Sequence, residues 1–226
     1  MTTAPPLPLY LDTADRFREF ARGRLSQQPA QNVISSASAA DPGGPSDFDL
    51  TPGLADEIGA GADAIPAAVL VPVIARRTLT VLFTLRTEHL ARHAGQVSFP
   101  GGRIDLEDED AATTALREAE EEIALSRSLV EPLGFLDTYR TSTGFTVAPL
   151  VALVAPEHQV RPNPAEVAEI FEVPLAFLLD PANMTRDRRI WRGRERHFYA
   201  LTFQSRYIWG ATAGMIRNMQ QRLTRP

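Results

Sequence analysis

Phe99-Pro100-Gly101-Gly102 is followed, fifteen residues after its last glycine, by Arg117-Glu118-Ala119-Glu120-Glu121-Glu122. A glycine turn leads into a segment with helical periodicity, and four of the five positions 118–122 are glutamate. Like charges one turn apart destabilise a helix. Such crowding calls for an offsetting positive charge, and a divalent cation is the usual one. At about 100° per residue, with Glu118 at zero, Glu122 falls at about +40° and Glu121 at about −60°, while Glu120 points nearly the opposite way. Ala112, Leu116, Ala119 and Ile123 gather between about 100° and 160° as an apolar stripe. One face of this helix is thus predicted to pack into a core, and three carboxylates share the neighbouring face. Hard cations such as magnesium take oxygen ligands, commonly one or two carboxylates plus substrate phosphates. Arg117 has the planar guanidinium to orient one of those glutamates. A solvated acidic face is the plainer reading of such a run, and the glycine turn ahead of it weighs against that reading.

Working outward, the helix is predicted from about Asp110 to Leu125, with acids near its start as the helix dipole favours. Upstream, Ala67–Ile74 and Leu79–Leu85 have the β-rich, apolar character of strands, with residues 86–96 as a loop. Downstream, Leu133–Tyr139 and Phe145–Val154 read as strands broken by Thr141-Ser142-Thr143-Gly144. Residues 157–164 form a polar loop, 166–173 are mixed, and Pro174–Leu179 opens a short helix. Arg189–Trp191 and Arg196–Phe203 suggest a hairpin around Gly193, and Ala211–Leu223 closes as a helix. At the other end, residues 10–25 form a short amphipathic helix capped by Asp12 or Thr13, with Phe17 and Phe20 on one side. Residues 28–65 are rich in Pro, Gly, Ala, Ser and Asp without a period, the composition of a linker or lid. The division expected is an N-terminal helix and linker over 1–65 and a main domain over 66–226. Strands mix with helices without regular βαβ alternation, which predicts an α/β (α+β) sandwich with a mixed sheet between helices, rather than a Rossmann fold.

The chain has 226 residues, 44% of them hydrophobic, enough for a true core. It contains no cysteine, which excludes disulfides, thiolate catalysis and cysteine-held zinc, and is compatible with a cytoplasmic location. No apolar run has transmembrane length, and the N-terminus lacks the basic start and apolar stretch of a signal peptide. The net charge of −5 argues against a general nucleic-acid binder. All 23 basic residues are arginine, so an arginine here also does lysine's surface work and is weak evidence of function.

The stretch Gly102…Arg117-Glu118-Ala119-Glu120-Glu121-Glu122-Ile123-Ala124-Leu125 resembles the signature of the Nudix hydrolases. One extra residue separates Gly102 from Arg117, so either Asp108 or Glu109 fits the spaced-acid position. Ala124 stands where the signature closes with glycine, a residue that eases the exit from a helix. Leu82-Phe83-Thr84-Leu85-Arg86-Thr87 and Gly95-Gln96-Val97-Ser98-Phe99-Pro100-Gly101-Gly102 resemble the coenzyme A pyrophosphatase branch. That branch carries a further arginine where this chain has Ala91, with Arg92 beside it.

The resemblance implies a Nudix-type sandwich and hydrolysis of the diphosphate of a small molecule with Mg2+ or Mn2+. It implies that Glu118, Glu121 and Glu122 hold the cation, that Arg117 holds Glu118, and that a backbone carbonyl of the Gly101-Gly102 turn adds a ligand. Arg86, Arg92, Phe99 and Gly101 are the expected substrate contacts. An additional acid, as base or ligand, is Glu166 or Glu169. Coenzyme A is the first substrate expected. ADP-ribose, NADH or another nucleoside diphosphate derivative is the alternative, and a nucleotide-binding regulator without turnover is the third reading. His89 and His93 have metal-ligand spacing only if helical and lack a third partner. Trp209 reads as core packing at the start of the last helix, with an aromatic wall for adenine as the alternative.

Overall fold

In the computed structural model, residues 11–29, 44–51, 53–54, 64–90, 93–191 and 193–224 are described. Most of the expected linker, and both Ala91 and Arg92, lie outside the described residues. The strands are β1 (Ile65–Ile74), β2 (Thr80–Arg86), β3 (Val97–Ser98), β4 (Gly101–Arg103), β5 (Val130–Phe135), β6 (Tyr139–Arg140), β7 (Phe145–Val154), β8 (Val167–Pro174), β9 (Thr185–Trp191), β10 (Arg194–Phe203) and β11 (Arg206–Trp209). The helices are α1 (Ala14–Arg22), α2 (Ala111–Ile123), α3 (Leu175–Leu179) and α4 (Ala211–Thr224).

The centre of the larger sheet is a parallel pair, β1 and β7, in register from Ile65↔Phe145 to Ile74↔Val154. Antiparallel strands extend it to the order β3-β2-β1-β7-β5, with β4 on β1, β6 on β7 and β8 on β2. Strands buried on both faces read as nearly continuous apolar runs, and the alternation of β1 and β7 divides those runs between two cores. Ala68, Leu70, Ala148, Leu150, Ala152 and Val154 meet α2 on one face. Val71, Val73, Val147, Val151 and Leu153 meet α1 and α4 on the other. The sheet therefore lies between helices, the sandwich expected. A second sheet, β11-β10-β9, continues the α4 side. Among the described residues no helix is long and apolar enough to cross a membrane.

Asp110 caps α2 by accepting the Thr113 N–H at 2.7 Å. Its buried line is Ala111, Ala115, Ala119 and Ile123. Ala112 and Leu116, expected in the apolar stripe, are only partly buried beside it. Small residues at four-residue spacing bring the helix close to the sheet, which draws the neighbouring Glu122 into the buried face as well.

Three predicted elements differ in the structure. Residues 166–173, read as mixed, are strand from Val167 onward, within β8, whose glutamates are paired with partners far off in sequence: Glu172 with Arg76 at 2.7 Å and Glu169 with Arg206. Leu133–Tyr139 is two strands, since β5 begins at Val130 and runs through Pro132 with a register shift beside Gly134. Trp209 ends β11 instead of opening the last helix, and its ring is 5.2 Å from that of Phe198.

Candidate active site

The Phe99–Gly102 turn lies against β1. Gly101 pairs with Val69 and Gly102 with Ala68, and the Leu70 N–H donates to the Pro100 carbonyl at 2.9 Å. A Cβ on Gly101 would sit 2.6 Å from the Val69 Cα, and one on Gly102 would collide with the Glu118 carboxylate. Both glycines are required by this close approach: the first lets the turn reach β1, the second lets a glutamate of α2 lie over the turn.

Arg117 organises the exposed side of the helix. Its Nε donates to Asp108 Oδ1 at 3.0 Å and its Nη2 to Asp108 Oδ2 at 2.9 Å, a bidentate pair. Its Nη1 donates to Glu118 at 3.0 Å and to Glu121 at 3.2 Å. Asp108 also accepts the Thr114 hydroxyl at 2.8 Å and the Asp105 N–H at 3.1 Å. The Arg117 hydrogen bond holds the Asp108 carboxyl far below the usual carboxylate range. Of the two candidates for the spaced acid, Asp108 is the one bound to Arg117, while Glu109 is exposed.

Glu122 is 3% exposed. Burial pushes its carboxyl up to about 8; Arg86 opposes the shift, the charges of Glu118 and Glu166 add to it, and the Gly101 N–H opposes it. Burial also raises Glu118, against the pull of Arg117. Arg86, at the end of β2, brings its Nη1 to 3.7 Å from Glu122 Oε1. Glu122 Oε2 and Arg86 Nε are buried without a hydrogen-bond partner.

Glu166 joins this group from the loop before β8, its backbone held by Asn163 at 3.0 Å and Thr87 at 3.0 Å. Glu169 does not join it. It pairs with Arg206, which stacks on Phe171 in the core of the opposite face. Glu121 is turned outward, with 57% of its side chain exposed, and Glu120 pairs with Arg127 at 3.0 Å. Phe99, expected at the substrate, is 3% exposed and stacked on Phe83 at 4.8 Å. Its burial makes it an anchor for the turn rather than a ligand surface. His89 and His93 do not share a helix: His93 takes a left-handed φ of 57°, and His89 faces the Ala165 carbonyl at 3.2 Å. Asn163, whose N–H also donates to the Glu122 carbonyl at 2.8 Å, links the Glu166 loop to α2. No sequence signal marks it.

Residues 64–192 match the model of the NUDIX domain. The chain belongs to the Nudix family. The uncharacterized Nudix hydrolase NudL of Yersinia enterocolitica is 42% identical over 167 residues, covering 72% of this chain and 83% of the relative. The protein of the same description from Yersinia pestis is 41% identical over 158 residues, covering 70% and 79%. A solved Ap4A hydrolase of C. elegans aligns over 48% of this chain and 80% of its own, at 20% identity and a TM-score of 0.42, a level at which nothing about function transfers. As a Nudix hydrolase the protein acts on diphosphate bonds, and members of the family generally use divalent cations such as Mg2+ or Mn2+.

Among the described residues no three His, Asp or Glu side chains form a ready-made cation cage. The carboxylates nevertheless suit a divalent ion. Glu122 Oε2 is buried without a donor, and Glu118 and Glu122 are both disfavoured as isolated charges by burial. Hard carboxylate oxygens beside a glycine turn are the donor set such ions take.

Proposed function

We propose that this Nudix protein hydrolyses the diphosphate of coenzyme A to 3′,5′-ADP and 4′-phosphopantetheine, with Mg2+ or Mn2+. The observation that carries the reading is the position of the segment resembling the coenzyme A branch. Leu82–Arg86 and Val97–Gly102 build β2, β3 and the turn, and through Arg86 and Gly101 they meet Glu122 on the Nudix helix. Substrate-type sequence and catalytic helix thus share one site.

In this reading Glu118, Glu122 and the exposed Glu121 hold the cation, with the Gly102 carbonyl beside them. When bound, the ion screens the anionic diphosphate and lowers the pKa of attacking water. Glu166 accepts the proton of that water as its oxygen bonds to one phosphorus. The bridging P–O bond breaks, and its electron pair leaves with the second phosphate. Arg117, fixed by Asp108, keeps Glu118 over the turn. Arg86 receives phosphate oxygens, for which its fork geometry suits it. Arg92, outside the described residues, belongs to the proposal on sequence grounds alone. The chain's acidity goes with a small-molecule substrate rather than nucleic acid, and its lack of cysteine with a cytoplasmic site of action.

The test is product analysis by mass spectrometry after incubation with coenzyme A, ADP-ribose and NADH separately, with Mg2+ or Mn2+. Phosphopantetheine is expected from coenzyme A, and Glu122→Gln is expected to lose at least about a hundredfold in rate, the scale of a lost charge-stabilising ligand. Cleavage of ADP-ribose or NADH in preference would overturn the substrate, and tight binding without turnover would overturn the reaction.

A further inference from the structure

We propose that Arg86 makes cation binding and diphosphate binding depend on each other, because it shields Glu122 until phosphate oxygens draw its charge away. This rests on the reading of the site as a cation-dependent diphosphate hydrolase.

The two arginines beside Glu118 and Glu122 are held in opposite ways. Arg117 is saturated, with Asp108, Glu118, Glu121 and the Arg103 carbonyl taking its donors. Its place is set whatever binds. Arg86 is not saturated. Its 3.7 Å approach to Glu122 is an ion pair, too long for a hydrogen bond. Both partners keep a buried polar atom unsatisfied, Nε on Arg86 and Oε2 on Glu122. A closed bidentate pair would satisfy both atoms, and leaving them bare is costly. Each group is therefore available to a second partner of its own kind: a cation for Glu122, an anionic oxygen for Arg86.

The backbone places Arg86 for this. The β2–β8 pairing shifts register between Leu85 and Arg86, so that Leu85 faces Glu169 and Arg86 faces Val167. Bulges of this kind re-aim side chains beside functional sites. Here the extra residue is Ala168 on β8, and the shift turns Val167 to the α2 side. Arg86 stands on that side by the plain alternation of β2, two positions on from Thr84 and four from Leu82, and Glu118 and Glu166 also act on Glu122 there.

A fixed positive charge beside Glu122 opposes the arrival of a cation. When diphosphate oxygens engage Arg86, that opposition falls, and by linkage a bound cation strengthens diphosphate binding by the same factor. The site is thus assembled by cation and substrate together, in keeping with the lack of a preformed cage among the described residues.

The test is Mn2+ binding to the full chain without any nucleotide, followed by electron paramagnetic resonance of the free ion. Arg86→Gln is expected to bind Mn2+ roughly tenfold more tightly than the natural protein, a coupling of ordinary size. Arg86→Lys, which keeps the charge, is expected to stay near the natural affinity. Arg86→Met is measured alongside, so that loss of fold in one neutral variant does not leave the result open; circular dichroism reports folding. Unchanged or weaker Mn2+ binding in the folded neutral variants overturns the coupling and leaves the proposed reaction standing. Absence of Mn2+ binding from the natural protein and all variants also overturns the coupling, and the proposed reaction is then judged separately by the coenzyme A product analysis.

Discussion

At Ala124 the chain leaves α2 with φ 54° and ψ 30°, a left-handed conformation that an L-residue with a Cβ adopts at a cost of roughly 1–2 kcal/mol. The Nudix signature places glycine there. The turn forms all the same, with the Ala124 N–H donating to the Glu120 carbonyl at 2.9 Å. Ala124 is exposed, so its methyl group fills no core space. Ala124→Gly is expected to stabilise the protein by about 1 kcal/mol, read from the midpoint of urea unfolding. The two candidate acids are separated by the same kind of reasoning. Glu166 raises the pKa of both Glu118 and Glu122, whereas Glu169 is spent on Arg206 across the sheet. Glu166→Gln is expected to lower kcat by at least about a hundredfold, the scale of a lost general base. Glu169→Gln is expected to leave kcat unchanged. Equal losses in the two variants would mean that Glu166 has no special part in the reaction.

Between elements, the tie that matters is Asp108 on Arg117. It joins the loop before α2 to the middle of that helix, and through Arg117 it sets Glu118 over Gly102. The folded-state pKa of Asp108 lies well below its ordinary 3.8, with the Arg117 hydrogen bond as the largest cause. Arg117 is shifted further upward and stays charged. The sign follows from linkage. A carboxylate depressed by folding contributes stability that is present above its unfolded pKa and lost as pH falls through the folded one. Acid titration of stability is therefore expected to steepen below about pH 4 in the natural protein and to be flatter in Asp108→Asn. Thermal melts across that range distinguish the two. The variant is also expected to lose activity near neutral pH, where the Asp108 contribution to stability is fully present in the natural protein, because Arg117 is then free to turn from Glu118.

For the whole molecule, the N-terminal helix is part of the main core. Leu11, Phe17, Ala21 and Leu25 are buried with β1, β7 and α4, and Arg18 and Arg22 both reach Glu131 of β5 at 2.9 Å. We propose that the division at residue 65 separates sequence by composition and not by folding unit. Phe17 is 0% exposed, and Phe17→Ala is expected to cost about 3–5 kcal/mol, measured by chemical unfolding. A cost below about 1 kcal/mol, the size of an ordinary surface change, would show instead that α1 is a detachable appendage.

What the chain determined by itself is whatever rests on local repetition. The limits of β7, the start of α4, the Arg117–Glu122 run on a helix and a cap of α1 at Asp12 or Thr13 follow from period, cap and turn chemistry within a few residues; the structure has Thr13, whose hydroxyl accepts the Arg16 N–H at 3.3 Å. The choice among candidates of one type did not. Asp108 over Glu109 depends on where the loop before α2 meets Arg117. Phe99, expected as a substrate contact, is instead stacked on Phe83 in the core. The case of β8 is the clearest. Strict alternation would put Val167 and Phe171 on one face, yet Val167 packs with α2 and Phe171 with the opposite core. The register shift against Leu85 and Arg86 reverses the faces between them, and a one-residue slip moves every side chain across a sheet. Arg86 reaches the α2 side by the regular alternation of β2, whereas that single irregularity parts Val167 on the α2 side from Glu169 and Phe171 on the other. It is a property of two strands pairing, and neither strand carries it alone.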